Sequence, residues 1–304
     1  MRCPAAVLLG ALLCTLAAAG QQQQQSGTTF HMEVPLVNVF ASVTDKAGAP
    51  IGGLTKDDFQ LYEDGKLQKI AVFERDTSAP LAIVLAVDLS GSTYKDFAEE
   101  QRAAQRFAKE VLRVQDRADV MAFSDDTRDV TGFTGNAKRI ASGLGELRPG
   151  SGGTAFYSTI SQASQMLRPE HGRRVLVVIS DGDNTVNGVS YQDALDEAVR
   201  DEVMIYSIID VPVEASAGRS LAGEHAMITL AEETGGRAYY ARQASIDQIF
   251  RRIADDLRTQ YLLGYYPQKR GEEGEFRAIA VKMSSVANNA KYSVRNRPGY
   301  YADR

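Results

Sequence analysis

Three stretches of this chain are apolar almost without interruption. Residues 81–87 and 175–179 contain no polar side chain, and 204–209 contains a single serine. Successive side chains of a strand point to opposite faces, so a run that is apolar at every position belongs to a strand covered on both faces. Segments with helical spacing lie between these runs, at 97–112, 137–147, 156–167, 191–200, 226–234 and 246–257, with further strands expected at 118–123 and 237–240. Alternating β and α elements over residues 80–260 predict an α/β fold, a doubly wound, mostly parallel sheet with helices on both faces.

The flanking segments have a different texture. Val37, Val39, Ala41 and Val43 alternate with Asn38, Phe40 and Ser42, the pattern of a strand with one buried face. Thr44-Asp45-Lys46-Ala47-Gly48 is turn chemistry, 54–59 reads as a capped short turn, and strands follow at 60–63 and 68–74 around an Asp64-Gly65 hairpin turn. Residues 76–80 read as a linker, which makes 30–77 a small β module. After the last helix come 261–266 and two alternating segments, 276–284 and 291–296. In the first of these Ile279, Val281 and Met283 face one side, and Ala278, Ala280 and Lys282 the other. A sheet as small as 30–77 is marginal alone, and no helix follows the C-terminal segments. The expectation is that 261–304 pairs with 30–77, leaving the α/β domain as an insertion.

Residues 1–20 read as a cleaved signal peptide: Arg2, an apolar run over 5–19, and the small residues Ala17-Ala18-Ala19 ahead of a glutamine tract at 21–25. Leu13 before Cys14 argues against a lipidated cysteine, and 21–29 reads as a flexible leader. The expected location is secreted or periplasmic. Both cysteines, Cys3 and Cys14, fall in the peptide, so the mature chain has no thiol for disulfides, metal or nucleophilic chemistry. No segment reaches the roughly 20 apolar residues that span a bilayer. With 34 Lys+Arg against 39 Asp+Glu and a net charge of −5, no electrostatic footprint for nucleic acid is present.

Oxygen-bearing side chains gather at three junctions. Asp88-Leu89-Ser90-Gly91-Ser92 follows the first apolar run, Gly150-Ser151-Gly152-Gly153-Thr154 opens a helix, and the run beginning at Val175 ends at Asp181-Gly182. In open α/β sheets ligands bind beyond the carboxyl ends of the strands, where all three should converge. Two carboxylates and three hydroxyls, from Asp88, Ser90, Ser92, Thr154 and Asp181, form a hard oxygen shell suited to Mg²⁺ or another hard divalent cation such as Mn²⁺ or Ca²⁺. Neighbouring glycines let the backbone approach closely. Taken singly, Ser90 and Ser92 read as turn or cap residues and Asp181-Gly182 as a turn, and only their coincidence with Thr154 reverses that reading.

These residues resemble the von Willebrand factor A domain family. Asp88, Ser90 and Ser92 match its Asp-x-Ser-x-Ser motif, Thr154 its metal-binding threonine and Asp181 its final aspartate, and the order of elements over 80–260 is similar. The resemblance implies a metal-ion-dependent adhesion site, to which a protein ligand supplies an acidic residue. Neutral hydroxyls and two aspartates leave such a cation electrophilic, and binding needs no general acid or base. The resemblance also implies a last helix that shifts when the site takes up a carboxylate, the alternative being a rigid helix and a fixed affinity. A second resemblance is to secreted bacterial proteins with a Gly-Leu-Thr-x-x-Asp-Phe stretch before this domain. It rests on residues Gly53 to Phe59 and implies no role.

Two other readings stand beside the binding module. An Asp-led motif after the first strand also opens Mg-dependent phosphoryl-transfer enzymes, but these need a second aspartate where Ser90 stands. A structural protein with an unused metal site is the other. Hydrolase and dinucleotide motifs are absent, His31, His171 and His225 lie in unrelated segments, and a calcium loop from Asp181 is broken by Val186 and Gln192. Asp125, Asp126 and Asp183 read as solvated loop carboxylates and Arg251-Arg252 as a solvated helical face. Tyr261, Tyr265, Tyr266, Tyr300 and Tyr301 read as β packing.

Overall fold

The computed structural model of the protein describes residues 36–75, 79–91, 97–211, 220–241, 243–269, 271–285 and 290–302; the segments read as signal peptide and leader lie outside them. Four strands come first, β1 (Val37–Asp45), β2 (Phe59–Glu63), β3 (Lys66–Gln68) and β4 (Ile70–Glu74). The α/β series is β5 (Leu81–Asp88), α1 (Phe97–Val111), β6 (Arg117–Phe123), β7 (Thr127–Asp129), α2 (Ala137–Glu146), α3 (Phe156–Leu167), β8 (Arg173–Ser180), α4 (Tyr191–Arg200), β9 (Val203–Ile209), α5 (Leu221–Glu233), β10 (Arg237–Tyr240) and α6 (Ile246–Thr259). Four strands close the chain, β11 (Tyr261–Tyr265), β12 (Phe276–Met283), β13 (Tyr292–Arg295) and β14 (Gly299–Tyr301).

The central sheet has six strands in the order β10-β9-β8-β5-β6-β7. All neighbours are parallel except β7, which runs antiparallel at one edge. The apolar runs are explained by its two faces. Leu81, Ile83, Leu85 and Val87 join a core with Phe107 of α1, Ile140 of α2 and Ile253 of α6. Ala82, Val84 and Ala86 join a second core with Phe156 of α3, Ala194 of α4 and Leu230 of α5. The fold class read from the sequence is therefore observed: helices on both faces of a mostly parallel sheet, with separate antiparallel sheets built from the terminal segments. Strand β7, exposed and without an apolar pattern, was invisible to periodicity.

Each antiparallel sheet mixes the two ends of the chain. One has the order β13-β1-β11-β4, the other β14-β12-β2-β3. Residues Val39, Leu61, Tyr261, Leu263 and Val281 share a third core between them. At the β2–β3 hairpin Asp64 and Gly65 have φ of 47° and 74°, the pair of positive angles that a type I′ turn requires. At the short turn Thr55 donates from its backbone N–H and its hydroxyl to Asp58 Oδ2, at 2.8 and 2.9 Å. The strand expected over 68–74 is two strands: β3 and β4 belong to different sheets, and the chain crosses between them at Lys69. Both Gln68 and Ile70 are buried, so alternation runs through the crossing unbroken and hides it. Helix α5 begins earlier than its apolar pattern, because the Ser220 side chain caps it by accepting from the Gly223 N–H.

Polar groups lock the layers together. Buried Glu63 accepts from the hydroxyls of Tyr265 (2.8 Å) and Tyr300 (2.9 Å) through Oε1 and from Arg277 (3.0 Å) through Oε2, joining β2, β11, β12 and β14. Helix α6 is held at its start by the Arg106–Asp247 pair (2.7 Å) and near its end by Arg258–Asp116 (2.7 Å). Its Asp256 also accepts from Tyr206 (2.6 Å) and from Arg295 of β13.

Asp119 of β6 is the counterexample. Its Oδ1 accepts the Thr131 hydroxyl at 2.8 Å, while buried Oδ2 has no hydrogen-bond partner among the described residues. Burial, with the nearby Asp129 charge, pushes its carboxyl up from 3.8 to about 6. An acid that holds its proton more tightly folded than unfolded costs stability as pH rises through that interval. Asp119→Asn, which keeps the Thr131 bond, should therefore melt higher than the parent at pH 8, with the gap closing at pH 4. Thermal melts of both proteins across that range check it, and parallel curves would contradict it.

Candidate metal centre

Parallel pairing of β5 with β8 carries Val87 opposite Ile179, so the next residues, Asp88 and Ser180, lie side by side at the carboxyl end of the sheet. Asp88 is 1 % exposed. Its Oδ1 accepts the Ser90 N–H at 2.8 Å, and its Oδ2 accepts the Ser180 hydroxyl at 2.6 Å. Ser180 in turn accepts the Gly182 N–H at 3.0 Å, which holds the turn that carries Asp181. Asp181 Oδ1 accepts the Asp183 N–H at 3.0 Å.

The glycine-rich loop is tied into the same rim. Gly150 N–H donates to the Leu89 carbonyl at 2.8 Å, one residue past Asp88. At its other end Thr154 exchanges bonds with Thr185, its N–H donating to the Thr185 hydroxyl (2.7 Å) and its carbonyl accepting the Thr185 N–H (3.0 Å). The structure thus brings Asp88, Ser90, Thr154 and Asp181 to one end of β5 and β8, all four buried. Ser92 lies outside the described residues.

Two features of the donor set suit a hard cation. Burial raises the Asp88 carboxyl from 3.8 to about 6 against the opposing effect of its Ser180 and Ser90 bonds, and the Asp181 charge raises it further. Two acids crowded in a poorly solvated rim are what a divalent cation would relieve. Neither the Thr154 hydroxyl nor Asp181 Oδ2 has a hydrogen bond among the described residues, so both are available as oxygen donors. No cluster of three His, Cys, Asp or Glu side chains that could hold a metal occurs among the described residues.

A family comparison covers the stretch that forms this rim. Residues 83–184 match the von Willebrand factor type A domain. That segment, about a third of the chain, is where the likeness to this domain lies. Similar solved structures include an aerotolerance-related membrane protein from Bacteroides fragilis, 18 % identical with a TM-score of 0.48 over 58 % of this chain and 98 % of that one. BatB from Bacteroides thetaiotaomicron is 20 % identical with a TM-score of 0.45 over 57 % and 98 %. The von Willebrand domain of the type V pili tip protein Mfa5 from Porphyromonas gingivalis is 11 % identical with a TM-score of 0.47 over 59 % and 95 %. No curated protein matches the chain. Among the described residues no helix is long and apolar enough to cross a membrane.

Sequence reasoning passed over residues that shape this rim. Ser180 holds the Asp88 carboxylate, and its signal was its place beside Asp181 at the end of a parallel strand. Asp125, read as a solvated loop carboxylate, is exposed but accepts the Gly153 N–H at 2.6 Å and braces the glycine loop. Asn184 Oδ1 accepts the Tyr157 N–H at 3.1 Å at the start of α3. Arg251 and Arg252 are exposed on α6, Tyr261 and Tyr265 are buried in the third core, and Tyr266 points to solvent.

Gly182 carries the tightest constraint. Its φ is +78°, and a Cβ there would meet the Gly223 carbonyl oxygen of α5 at 2.5 Å. Backbone cannot yield as a flexible side chain can, and a left-handed residue with a Cβ adds about 1–2 kcal/mol. Gly182→Ala is expected to cost more than about 2 kcal/mol and to lower the melting temperature accordingly. An unchanged melt would show that the turn is free to move.

Proposed function

We propose that the A domain is a divalent-cation-dependent protein-binding module of an exported chain. Asp88, Ser90, Ser92, Thr154 and Asp181 would hold a Mg²⁺-class ion, or Mn²⁺ or Ca²⁺. The observation that carries this reading is the pairing of buried Asp88 with Asp181 beside a Thr154 hydroxyl that no described residue engages. A bound ion supplies an electrophilic centre for an oxygen ligand. The chain's own residues do the rest: Ser180 and the Ser90 N–H orient the Asp88 carboxylate, and Thr185 and Asp125 fix the loop that presents Thr154. Only two carboxylates offset the ion, so an acidic residue of a protein partner is the ligand that the site favours. Recognition rather than turnover fits the residue two places after Asp88, where a phosphoryl-transfer enzyme needs an acid and Ser90 stands.

Calorimetric titration of Mg²⁺ tests the ion. The parent should bind one equivalent, Asp88→Asn should bind none measurable, and Ser180→Ala should weaken binding about 10–100-fold, since it only orients a ligand. In the presence of chelator Asp88→Asn should melt no lower than the parent, because it removes a buried charge. Undiminished Mg²⁺ binding in Asp88→Asn would overturn the assignment. The partner is sought separately: a protein retained from the native secretome in Mg²⁺ should be released by chelator and fail to bind Asp88→Asn.

A further inference from the structure

The chain contains one Asn-Gly pair, Asn187-Gly188, and two Asp-Gly pairs, Asp64-Gly65 and Asp181-Gly182. Such pairs share a reactivity. The backbone nitrogen of the glycine can attack the side-chain carbonyl carbon of the residue before it and close a five-membered ring, and glycine has no Cβ to hinder the approach. The ring forms within two consecutive residues, so it needs no contact from elsewhere in the chain. Whether either group is held back is decided by the fold.

Both Asp-Gly pairs are held. The Gly182 N–H donates to Ser180 Oγ at 3.0 Å, and buried Asp181 accepts the Asp183 N–H at 3.0 Å through Oδ1. At the β2–β3 hairpin Asp64 Oδ1 accepts the Ala278 N–H at 2.9 Å, and its Oδ2 faces Arg277 Nε at 2.6 Å.

Asn187-Gly188 is different. It lies in the irregular segment between β8 and α4, and both residues are exposed. Among the described residues nothing hydrogen-bonds to the Asn187 amide or to the Gly188 N–H. The residues on either side are fixed. Asn184 Oδ1 accepts the Tyr157 N–H at 3.1 Å, its Nδ2 donates to the Val186 carbonyl at 3.0 Å, and Thr185 is bonded to Thr154. On the other side the Ser190 side chain caps α4. The reactive pair is therefore the unbonded span of an otherwise anchored loop.

We infer that Asn187 is a site of spontaneous covalent modification, at which the folded protein converts asparagine to aspartate and isoaspartate. The Gly188 nitrogen gives up its proton to solvent base and bonds to Asn187 Cγ. The Cγ–Nδ2 bond breaks, and Nδ2 takes up a proton and leaves as ammonia. Water then opens the cyclic imide at one of its two carbonyls, giving aspartate from one opening and isoaspartate from the other. Water is the only co-reactant. Each event adds a negative charge to the loop that holds Thr154 and the start of α3, and the isoaspartate form lengthens its backbone by a carbon.

The test incubates the whole folded chain at pH 8 in chelator, which keeps the metal rim silent, and maps its peptides by mass. The peptide carrying Asn187 should gain about 1 Da as an amide NH₂ is exchanged for a hydroxyl. It should resolve into aspartate and isoaspartate forms at a rate close to that of a free peptide of residues 185–191 in the same buffer. Asp181 should yield no isoaspartate in the folded chain. Gly188→Ala should slow the conversion severalfold. Its new methyl group meets only the Ser158 hydroxyl, at 3.2 Å, which can rotate away, so the variant should fold. An Asn187 that stays intact while the free peptide converts overturns the proposal, as does aspartate without isoaspartate, or a rate in Gly188→Ala equal to the parent's. Isoaspartate at Asp181 to the same extent as at Asn187 would show that the fold does not select this pair, and overturns it too.

Discussion

In β5 all eight residues from Leu81 to Asp88 are buried, alternate side chains feeding the cores on the two faces of the sheet. A strand enclosed in this way has no place for polar chemistry along its length, and the first position that admits it is its end. Parallel register then does the assembling: β8 must finish beside β5, so Ser180 meets Asp88 and the chain turns through Asp181 into the same space. The rim is therefore a consequence of how the sheet is buried. Its donors are precise because they hang from strands that cannot shift without opening two cores.

The molecule buries several charges and settles most of them. Glu63 has two tyrosines and Arg277, Asp256 has Tyr206 and Arg295, and Asp116 has Arg258 together with the N–H groups of Leu81 and Arg113. Buried ions with full complements of partners knit elements together, whereas one left short of partners is costly and calls for an explanation. Arg173 falls short: its Nε and Nη2 are buried with no partner among the described residues. Asp119 falls short as well, but its neighbour is another carboxylate, Asp129. Two crowded acids offer each other no relief, so this one reads as a cost of the fold.

Helix α6 bears on how the rim could communicate with the rest of the chain. It is bonded to α1 at its start, and at its end to Asp116, to Tyr206 of β9 and to Arg295 of β13, with Leu257 accepting from Arg173. Sliding it would break ion pairs at both ends, the two at its end largely buried. This anchoring favours a helix of fixed position and a rim of fixed affinity over the shifting helix that the family resemblance implies. Any coupling that does exist must be reciprocal, and it would pass through β13, the strand that ties α6 to β1.

By itself the sequence determined which faces are buried, because local periodicity records burial directly. The strands β5, β8 and β9, helices α3 and α4 at their full extents, and the Asp64-Gly65 turn were all legible in this way, as was the clustering of Asp88, Ser90, Thr154 and Asp181 at strand ends. Partnership was decided only by the tertiary structure. The division of 68–74 between two sheets, the strand β14, the brace from Asp125 and the hold of Ser180 on Asp88 depend on residues distant in the chain. So do the surroundings of buried Arg173, which come from Phe40, Leu257 and Gln260. A pattern of apolar and polar residues says that a side chain is inside; whether its charge is met there depends on long-range packing that no local window contains.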